Sequence, residues 1–321
     1  MKGPSGSDIM PTRQGIPVIS YIGGEHMGVT IGILQLKAEL DEAVEGFKKG
    51  LSESGFASAE VTFDYRNVEE NVPSFGQEAD DLVAQGVDLI FACTTPAAKF
   101  AKEAAEFYGI PVVFTPVYDP VSVGLVDSWE RSGNHLGGVS GKVDAERKLA
   151  AMQSLVPGLT HFSVVYDPDD PNSVLELNDL RQVATEQGII VTPVKVQNPA
   201  VLANMEFLPD CQFVFATIGR MLEEHLPELA GNCVAQGIPL CGHNLTAVLA
   251  GAACCVEAPL SELGYQAGKI AARILHGEDP AELPIQLPDN PRVYLNRVTC
   301  DRLKLDLKAI PEAEIIEGRY R

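Results

Sequence analysis

Apolar residues follow two alternating patterns along most of this chain. Between residues 39 and 54 they recur every three or four positions, as expected for one face of a helix. The members of that stripe are Leu40, Val44, Phe47 and Leu51. Short apolar runs without that period, such as residues 110–114, are typical of strands buried on both faces. Because the two kinds of segment alternate, we expect an α/β protein with parallel sheets covered by helices.

The alternation predicts the following elements. The predicted strands are 30–35, 59–65, 88–93, 111–117, 161–166, 189–196, 211–217 and 238–241. The predicted helices are 39–54, 74–86, 96–108, 144–155, 172–187, 199–207, 221–237 and 261–276. The polar, glycine-rich passage 132–140 has no core-forming period, so it is predicted to connect two α/β units. Two Rossmann-like lobes follow, and in such sheets ligands gather at the carboxyl ends of the strands.

Composition narrows the class of protein. A chain of 321 residues is long enough for two domains, each with its own core. No apolar run approaches the ~18 residues that a membrane-spanning helix needs. The net charge of −20 argues against nucleic acid, whose phosphates require a basic protein face. Solubility is the ordinary interpretation of that charge.

Neither catalysis nor a cofactor is predicted. The seven cysteines include no C-x-x-C string, and the pair Cys254-Cys255 lies in an apolar run, which favours reduced, packed thiols. The six histidines lack metal-ligand spacing, so no metal site is predicted. No nucleophile–base pair emerges. A racemase or isomerase would need paired bases facing one cleft, and only Cys93 with Cys254 could be considered for that role.

Several strings carry a resemblance to a known family. They are Asp119-Pro120-Val121, Gly124-Leu125-Val126, Gly133-Asn134 and Gly138-Val139-Ser140, with further matches at Gly46-Phe47, Gly50-Leu51, 87–90, Thr94–Ala97, Tyr166–Pro168, Asn172-Ser173, Leu263-Gly264, Ile274-Leu275 and Gly277. On these strings, residues 29 to 310 resemble the ABC transporter substrate-binding proteins of the tryptophan/tyrosine-binding type. Ser132-Gly133 departs from the usual Pro-Gly of that family.

The resemblance implies a periplasmic-binding-protein type I fold with a ligand cleft between the lobes. In that family the chain crosses between lobes more than once, so we expect crossings near 139, 256 and 290. Lobe one is then 29–138 plus 257–289, and lobe two is 139–256 plus 290–321. Residues 1–28 are an atypical extension with an additional apolar run at 16–22 and no visible signal peptide.

The function implied by the resemblance is solute binding for an ABC uptake transporter. The protein would capture an amino acid or another carboxylate-bearing solute by hinge closure, outside the cytoplasm. Its partners would be the permease subunits of the inner membrane, and it would be a monomer. The alternative is a sensor or regulatory protein that uses the same fold to report a ligand to a signalling partner.

Candidate ligand-binding residues stand where strands end and helices begin. They are Gln35, Lys37, Thr94, Thr95, Tyr118, Asp119, Ser140, Asn172, Ser173, Arg220, Asn244 and Glu257. Thr94-Thr95 precedes a helix with Pro96 in its first turn, where a threonine can cap the helix or help to hold a ligand carboxylate. Asn172-Ser173 is expected to occupy the equivalent place in the second half.

Three departures from the family concern specificity. Residues 218–220 read Ile-Gly-Arg where relatives typically carry an acidic residue, and 259–264 lack the usual aromatic pair. Lys37 stands where a histidine is common. We therefore expect an anionic group on the ligand, contacted by the Arg220 guanidinium. The alternatives are a slipped alignment and solvent-facing Arg220 and Lys37 side chains.

Overall fold

The computed structural model describes residues 28–318, so the apolar run at 16–22 lies outside the described residues. The strands are β1 (Val29–Gln35), β2 (Val61–Asn67), β3 (Leu89–Cys93), β4 (Val112–Val117), β5 (Leu136–Ser140), β6 (His161–Tyr166), β7 (Ile190–Lys195), β8 (Phe213–Ala216), β9 (Leu240–Gly242), β10 (Cys254–Glu257), β11 (Arg292–Asn296) and β12 (Glu314–Ile316). The helices are α1 (Asp41–Glu53), α2 (Ser74–Gln85), α3 (Thr95–Glu106), α4 (Ala145–Leu155), α5 (Pro171–Glu186), α6 (Arg220–Glu223), α7 (Leu226–Ala235), α8 (Leu245–Leu249), α9 (Leu260–Leu275) and α10 (Arg297–Leu303). Short 3₁₀ segments lie at Ala38–Leu40, Pro199–Asn204, Pro280–Glu282 and Leu307–Ala309.

Two sheets repeat one strand order. The first runs β2-β1-β3-β4-β5, and the second runs β7-β6-β8-β9-β10 and then adds β11 and β12. By rank along the chain, both sheets are ordered second, first, third, fourth, fifth. Pairing is parallel from β7 to β10, whereas β11 runs antiparallel to its neighbour β10. The predicted fold class, α/β with two lobes and mostly parallel sheets, is confirmed.

Packing divides the chain into two compact units. The first comprises the described residues up to Pro116 together with Pro120–Val139 and Gly264–Gln286. The second comprises Val117–Asp119, Ser140–Leu263 and the described residues from Leu287 onward. The lobe bounds given above from the resemblance stay predictions. Within residues 28–318, no helix combines the length and the apolar character needed to cross a membrane.

Glycine lets α1 and the part of α9 from Gly264 onward, which belongs to the first unit, touch through their backbones. The predicted apolar stripe of α1 is buried at Val44, Phe47 and Leu51, and the Phe47 ring stacks on Phe91 of β3 with centroids 4.1 Å apart. A Cβ added at Gly264 of α9 would lie 1.9 Å from the backbone oxygen of Ala43. Since backbone oxygens cannot move aside as side chains can, only glycine fits there.

The passage 132–140, which was predicted to connect two α/β units, contains the strand β5, which was not predicted. All five residues of Leu136–Ser140 are buried, including Gly137 and Gly138. A Cβ at Gly138 would lie 2.6 Å from the Phe114 ring, so the missing side chain is what allows this strand to fit beside β4. Because glycine has no apolar side chain, the pattern of hydrophobic positions does not predict this buried strand.

The second unit also departs from the predicted elements. The predicted helix 199–207 is a 3₁₀ segment that ends at Asn204, and the predicted helix 221–237 is divided into α6 and α7. Pro227 lies in the first turn of α7, where its missing N–H is tolerated but could not continue a helix from upstream. The elements β10, β11, β12, α8 and α10 were not predicted, because each is only three to seven residues long.

All seven cysteines are buried, and none of them forms a disulfide in the described part of the chain. Cys241 and Cys254 are register partners on the neighbouring strands β9 and β10. Buried free cysteines act as small apolar side chains. Cys93 therefore contributes to the core of the first unit, and the other six contribute to the core of the second unit.

The backbone contact between α1 and α9 can be tested with a pair of glycine substitutions. Gly264→Ala should lower the free energy of unfolding by about 1–3 kcal/mol, because its methyl group would overlap the Ala43 carbonyl. Gly231→Ala is the matched control, since Gly231 lies inside α7 with nothing within 4 Å of an added Cβ. That change should raise stability by up to about 1 kcal/mol. Equal effects in urea denaturation would contradict the close contact.

Candidate functional site

Thr94 has a strained backbone at the carboxyl end of β3. Its φ of 91° and ψ of 162° fall in a region that almost only glycine adopts, at a cost of about 1–3 kcal/mol. The equivalent position by strand rank in the second unit is Gly219, which precedes α6 at φ 150°. The first unit thus keeps a hydroxyl-bearing side chain where the second unit has glycine. Such strain is typically retained where it positions a functional group.

Two buried hydroxyls near this point have no hydrogen-bond partner within the described residues. They are Oγ1 of Thr94 and Oγ1 of Thr115. The Thr94 N–H donates to the Thr115 carbonyl at 3.3 Å, so the two residues are neighbours across β3 and β4. Thr94 stands at the N-cap position of α3, yet its side chain makes no capping hydrogen bond to the helix as described. Helix capping therefore does not account for the presence of a threonine at position 94.

Thr95 begins α3 and lines a shallow recess on the first unit. The other lining residues are Val72, Pro96, Lys99, Phe100 and Glu103. The lining includes apolar side chains together with Lys99 and Glu103, which stand one helical turn apart on α3. Thr95 itself is half-buried.

Gln35 and Lys37, at the end of β1, are held by acidic neighbours. The buried Gln35 donates through Nε2 to Asp41 at 3.1 Å and accepts through Oε1 from the Leu36 N–H at 2.9 Å. Lys37 pairs with Glu70 at 3.1 Å, with 39% of its side chain exposed. The solvent-facing alternative therefore fits Lys37, and its charge is balanced within the first unit.

Ser140 and Tyr118 are joined inside the second unit. The Ser140 hydroxyl donates to the Tyr118 carbonyl at 2.7 Å and accepts from the Lys142 N–H at 2.9 Å. The Gly141 N–H donates to the Val117 carbonyl at 3.0 Å. These bonds attach the segment Val117–Asp119, which carries the candidates Tyr118 and Asp119, to the start of the second unit.

Asn172 and Ser173 lie at the start of α5, but they are not equivalent to Thr94-Thr95. They follow β6, the first strand of their unit, whereas Thr94 follows the third strand of its own. Asp170 caps α5 by accepting from both of their N–H groups. The Ser173 hydroxyl is used internally, bonded to the Asp167 N–H at 2.8 Å and to the Thr217 hydroxyl at 2.5 Å. The Asn172 amide oxygen is buried and has no partner within the described residues.

Arg220 is the first residue of α6 and points away from the protein. Its side chain is 91% exposed, and its Nε donates to Glu224 at 2.7 Å. Hydrogen bonding to this guanidinium lowers the pKa of Glu224. The exposure of Arg220 agrees with the alternative in which its side chain faces solvent. It does not agree with contact to a buried anionic group of a ligand.

Asn244 and Glu257 surround the start of α8. Asn244 caps this helix by accepting from the Ala247 N–H at 3.3 Å, and its amide donates to Glu223 at 2.7 Å. A Glu257 carboxylate oxygen accepts from the Leu245 N–H. Both residues are half-buried at the carboxyl edge of the second sheet, Asn244 after β9 and Glu257 as the last residue of β10.

Sequence reasoning missed the most buried ionic network of the second unit. Glu176 of α5 accepts through Oε1 from Lys148 of α4 and from Nδ1 of His243, the latter at 2.8 Å. Its Oε2 accepts from the Ile218 N–H at 2.6 Å. Only 3% of the Lys148 side chain and 1% of the Glu176 side chain are exposed. One signal could have revealed them: each occupies a position on the apolar stripe of its own helix.

The charges of the network oppose the effect of burial on Glu176. Burial alone would raise the pKa of this carboxyl, but the positive charges of His243 and Lys148, and their hydrogen bonds, lower it to about 2. The carboxylate is therefore ionised across the physiological range. It fixes in place the corners that follow β8 and β9, where Ile218 and His243 lie.

Tyr118 covers this network with its ring. The ring centroid lies 5.8 Å from Lys148 Nζ, 5.9 Å from Lys142 Nζ and 5.8 Å from the His243 ring. Burial, together with the negative charges of Glu176, Asp179 and Asp119, raises the pKa of the Tyr118 phenol. Its hydroxyl is therefore a neutral hydrogen-bonding group at any physiological pH.

The cysteines proposed above as possible paired bases are poorly suited to that role. Burial raises the pKa of Cys93 to about 12, and a hydrogen bond with Cys241 together with burial raises the pKa of Cys254. A thiol must lose its proton to act as a base or nucleophile. Within residues 28–318, no group of three or more histidine, cysteine or acidic side chains is arranged to hold a metal ion.

Known proteins resemble this chain along most of its length. The profile of the family described as ABC transporter substrate binding protein matches residues 30–311. A curated tyrosine-binding protein from Clostridioides difficile is 26% identical over 280 residues, which is 86% of this chain and 81% of the relative. A ligand-free, open substrate-binding protein with adhesive properties from Clostridium difficile superposes with a TM-score of 0.83 at 25% identity, covering 91% of this chain and 100% of that one. A domain from Streptococcus pneumonia in complex with L-Trp superposes with a TM-score of 0.72 at 22% identity, covering 90% of this chain and 100% of that one.

The buried network should make stability depend on pH in one direction. At pH values above about 4.5, Glu176 is ionised in both the folded and the unfolded chain, and its full stabilisation is present. As the pH falls toward 2, the unfolded chain binds a proton first, because the pKa of the folded carboxyl is about 2. The contribution of Glu176 to the free energy of unfolding should then fall by on the order of 3 kcal/mol. Denaturant titrations between pH 7 and pH 2, compared with Glu176→Gln, measure that difference.

At pH 7, Glu176→Gln should lower the free energy of unfolding by about 3–5 kcal/mol, because it leaves the Lys148 charge buried without its partner. The control is Glu278→Gln, which removes a surface pair with Arg273. That change should cost less than about 1 kcal/mol. Similar losses for both variants, or a Glu176→Gln variant with the pH profile of the parent, would contradict the assignment.

Proposed function

Since this chain belongs to the family of ABC transporter substrate-binding proteins, we propose that it is the solute-binding component of an ABC uptake transporter. The solute proposed is an amino acid or another carboxylate-bearing small molecule. The proposed partners are membrane permease subunits, and the proposed place of action is outside the cytoplasm. Binding is proposed to close the protein about the connections near Val139-Ser140 and Val256-Glu257.

One observation carries the ligand class: the strained Thr94, whose buried hydroxyl has no hydrogen-bond partner within residues 28–318, lies next to the amino end of α3. A buried hydroxyl without a partner costs free energy that a ligand acceptor can recover. The first-turn N–H groups of a helix lack partners inside the helix and, together with its dipole, favour an anion. A carboxylate would accept from both the threonine hydroxyls and this helix end.

The named relatives support an amino acid within that class. One relative is described as tyrosine-binding, and one solved structure contains L-Trp. An amino acid has the carboxylate that the Thr94 site suits, and it also has an ammonium group.

A ligand screen tests this function directly. In a thermal-shift screen of amino acids against carboxylic and sulfonic acids, at least one amino acid should raise Tm, and the same ligand should reduce the radius of gyration in small-angle scattering. Arg220→Ala should leave that shift unchanged, because its guanidinium is 91% exposed and paired with Glu224. Stabilisation by sulfonic acids alone, abolished by Arg220→Ala, would instead support the anionic ligand expected from the sequence.

The threonine site should control affinity. Replacing Thr94 and Thr95 with Ala should weaken binding of the strongest ligand by about 2–4 kcal/mol, because two hydrogen bonds to a charged group are lost. Isothermal titration calorimetry measures this change. Thr185→Ala is the control, since the exposed Thr185 hydroxyl donates to the Arg181 carbonyl within the same helix, α5. Affinity within twofold of the parent would contradict the site.

A glycine at position 94 separates the two roles of this residue. Thr94→Gly removes the hydroxyl and also relaxes the positive φ, so it should increase the stability of the ligand-free protein by about 1–3 kcal/mol. Binding should nevertheless weaken. A variant that is more stable and binds as tightly as the parent would show that the strain serves no ligand.

A further inference from the structure

The side-chain amide oxygen of Asn172 is a buried acceptor at the carboxyl edge of the second sheet. Asn172 is the second residue of α5, and it follows the loop that leaves β6. Its Oδ1 accepts no hydrogen bond from the described residues. The residue as a whole is half-buried, so its amide lies between the interior and the surface. A buried amide oxygen without a donor costs free energy, and a ligand that supplied a donor would recover that cost.

Helix capping does not use this oxygen. Asp170 caps α5 instead, because its Oδ1 accepts from the Asn172 N–H at 2.9 Å and from the Ser173 N–H at 3.4 Å. The Ser173 hydroxyl is bonded internally to the Asp167 N–H and to the Thr217 hydroxyl. Of the two neighbours Asn172 and Ser173, Asn172 is therefore the one whose side chain suits a ligand contact.

The surroundings of this helix end favour a cationic donor over an anion. The amino end of a helix attracts anions, but here the Asp170 carboxylate already fills that position. Residues 167–170 read Asp-Pro-Asp-Asp, so the preceding loop contains three acidic residues and no basic one. A ligand carboxylate brought to this place would be repelled by Asp170, whereas an ammonium group would be attracted. This preference is opposite to that of α3, where Thr94 makes no capping hydrogen bond to the helix as described.

We propose that Oδ1 of Asn172 accepts a hydrogen bond from the ammonium group of the ligand, so that Asn172 is a specificity-determining residue. This inference rests on the proposed function. The ammonium group is the hydrogen-bond donor that amino acids share outside their side chains, and a plain carboxylic acid lacks it. A contact at Asn172 therefore distinguishes the two types of solute that the proposed function includes.

Calorimetry with a matched pair of ligands tests this contact. The twenty L-amino acids are first screened singly by thermal shift. The strongest binder is then compared with its desamino analogue, which has hydrogen in place of the ammonium group. The parent protein should bind the amino acid about 10- to 100-fold more tightly than the analogue, as expected for one hydrogen bond to a charged group.

Substitutions at position 172 identify the atom responsible. Asn172→Leu has a similar shape but no acceptor, so it should bind both ligands with similar affinity. Asn172→Asp keeps an oxygen in that place and adds negative charge, so it should keep or increase the preference for the amino acid. Asn178→Leu is the matched control, since Asn178 is exposed on the same helix, and it should leave the preference unchanged. If thermal unfolding shows that Asn172→Leu does not fold, Asn172→Ala takes its place.

Three results would overturn the inference while the proposed function stands. The first is equal binding of both ligands by the parent protein. The second is an Asn172→Leu variant with the parent's ratio of affinities, since a purely structural role for Asn172 would weaken both ligands alike. The third is an Asn172→Asp variant that also loses the preference, because the amide would then act through its Nδ2 donor. Binding of none of the twenty amino acids would contradict the proposed amino-acid ligand and the inference together.

Discussion

The carboxylate of Glu176 imposes the strongest physical constraint on the second unit. A charge with almost no exposed surface is tolerated only when its surroundings supply hydrogen bonds and opposite charge. Here the donors come from α4, from the corner after β8 and from the corner after β9. Satisfying one buried oxygen pair therefore fixes three segments that are far apart in sequence. Those segments form the edge of the sheet where ligands gather in folds of this kind.

The two units use the same strand order but different chemistry at that edge. In the first unit, Thr94 and Thr115 offer neutral hydroxyls beside a helix end. In the second unit, ionised side chains and an aromatic ring surround His243. The same strand order therefore presents neutral hydroxyls at the edge of one sheet and ionised side chains at the edge of the other.

The sequence predicted the features that depend on local periodicity. The strands β1 and β6, the helices α1 and α4, and the α/β class follow from apolar spacing, and spacing is a local property. Thr94 was selected correctly as the residue between β3 and α3. However, its positive φ, and the absence of a hydrogen-bond partner for its hydroxyl within the described residues, arise from tertiary packing. The neighbouring residues in the sequence therefore do not predict them.

The errors have physical reasons as well. β5 was missed because Gly137 and Gly138 contribute no hydrophobic signal, although their lack of side chains is what lets the strand pack. Lys148 and Glu176 were overlooked because their partners lie on other elements, so that each seemed an ordinary charged residue. Asn172-Ser173 was matched to the wrong strand, since equivalence between repeated units depends on strand rank and not on motif appearance.

The burial of all seven thiols limits when they can react, because they are accessible only before the protein has folded. Thiol oxidation and disulfide exchange require both access and a thiolate, and burial withholds the two together. In the folded protein, alkylating reagents and oxidants should find little to react with. The vulnerable period is the interval before folding is complete, when every sulfur is open to solvent. Because seven is an odd number, intramolecular pairing during that interval would always leave one sulfur available for a bond to another molecule.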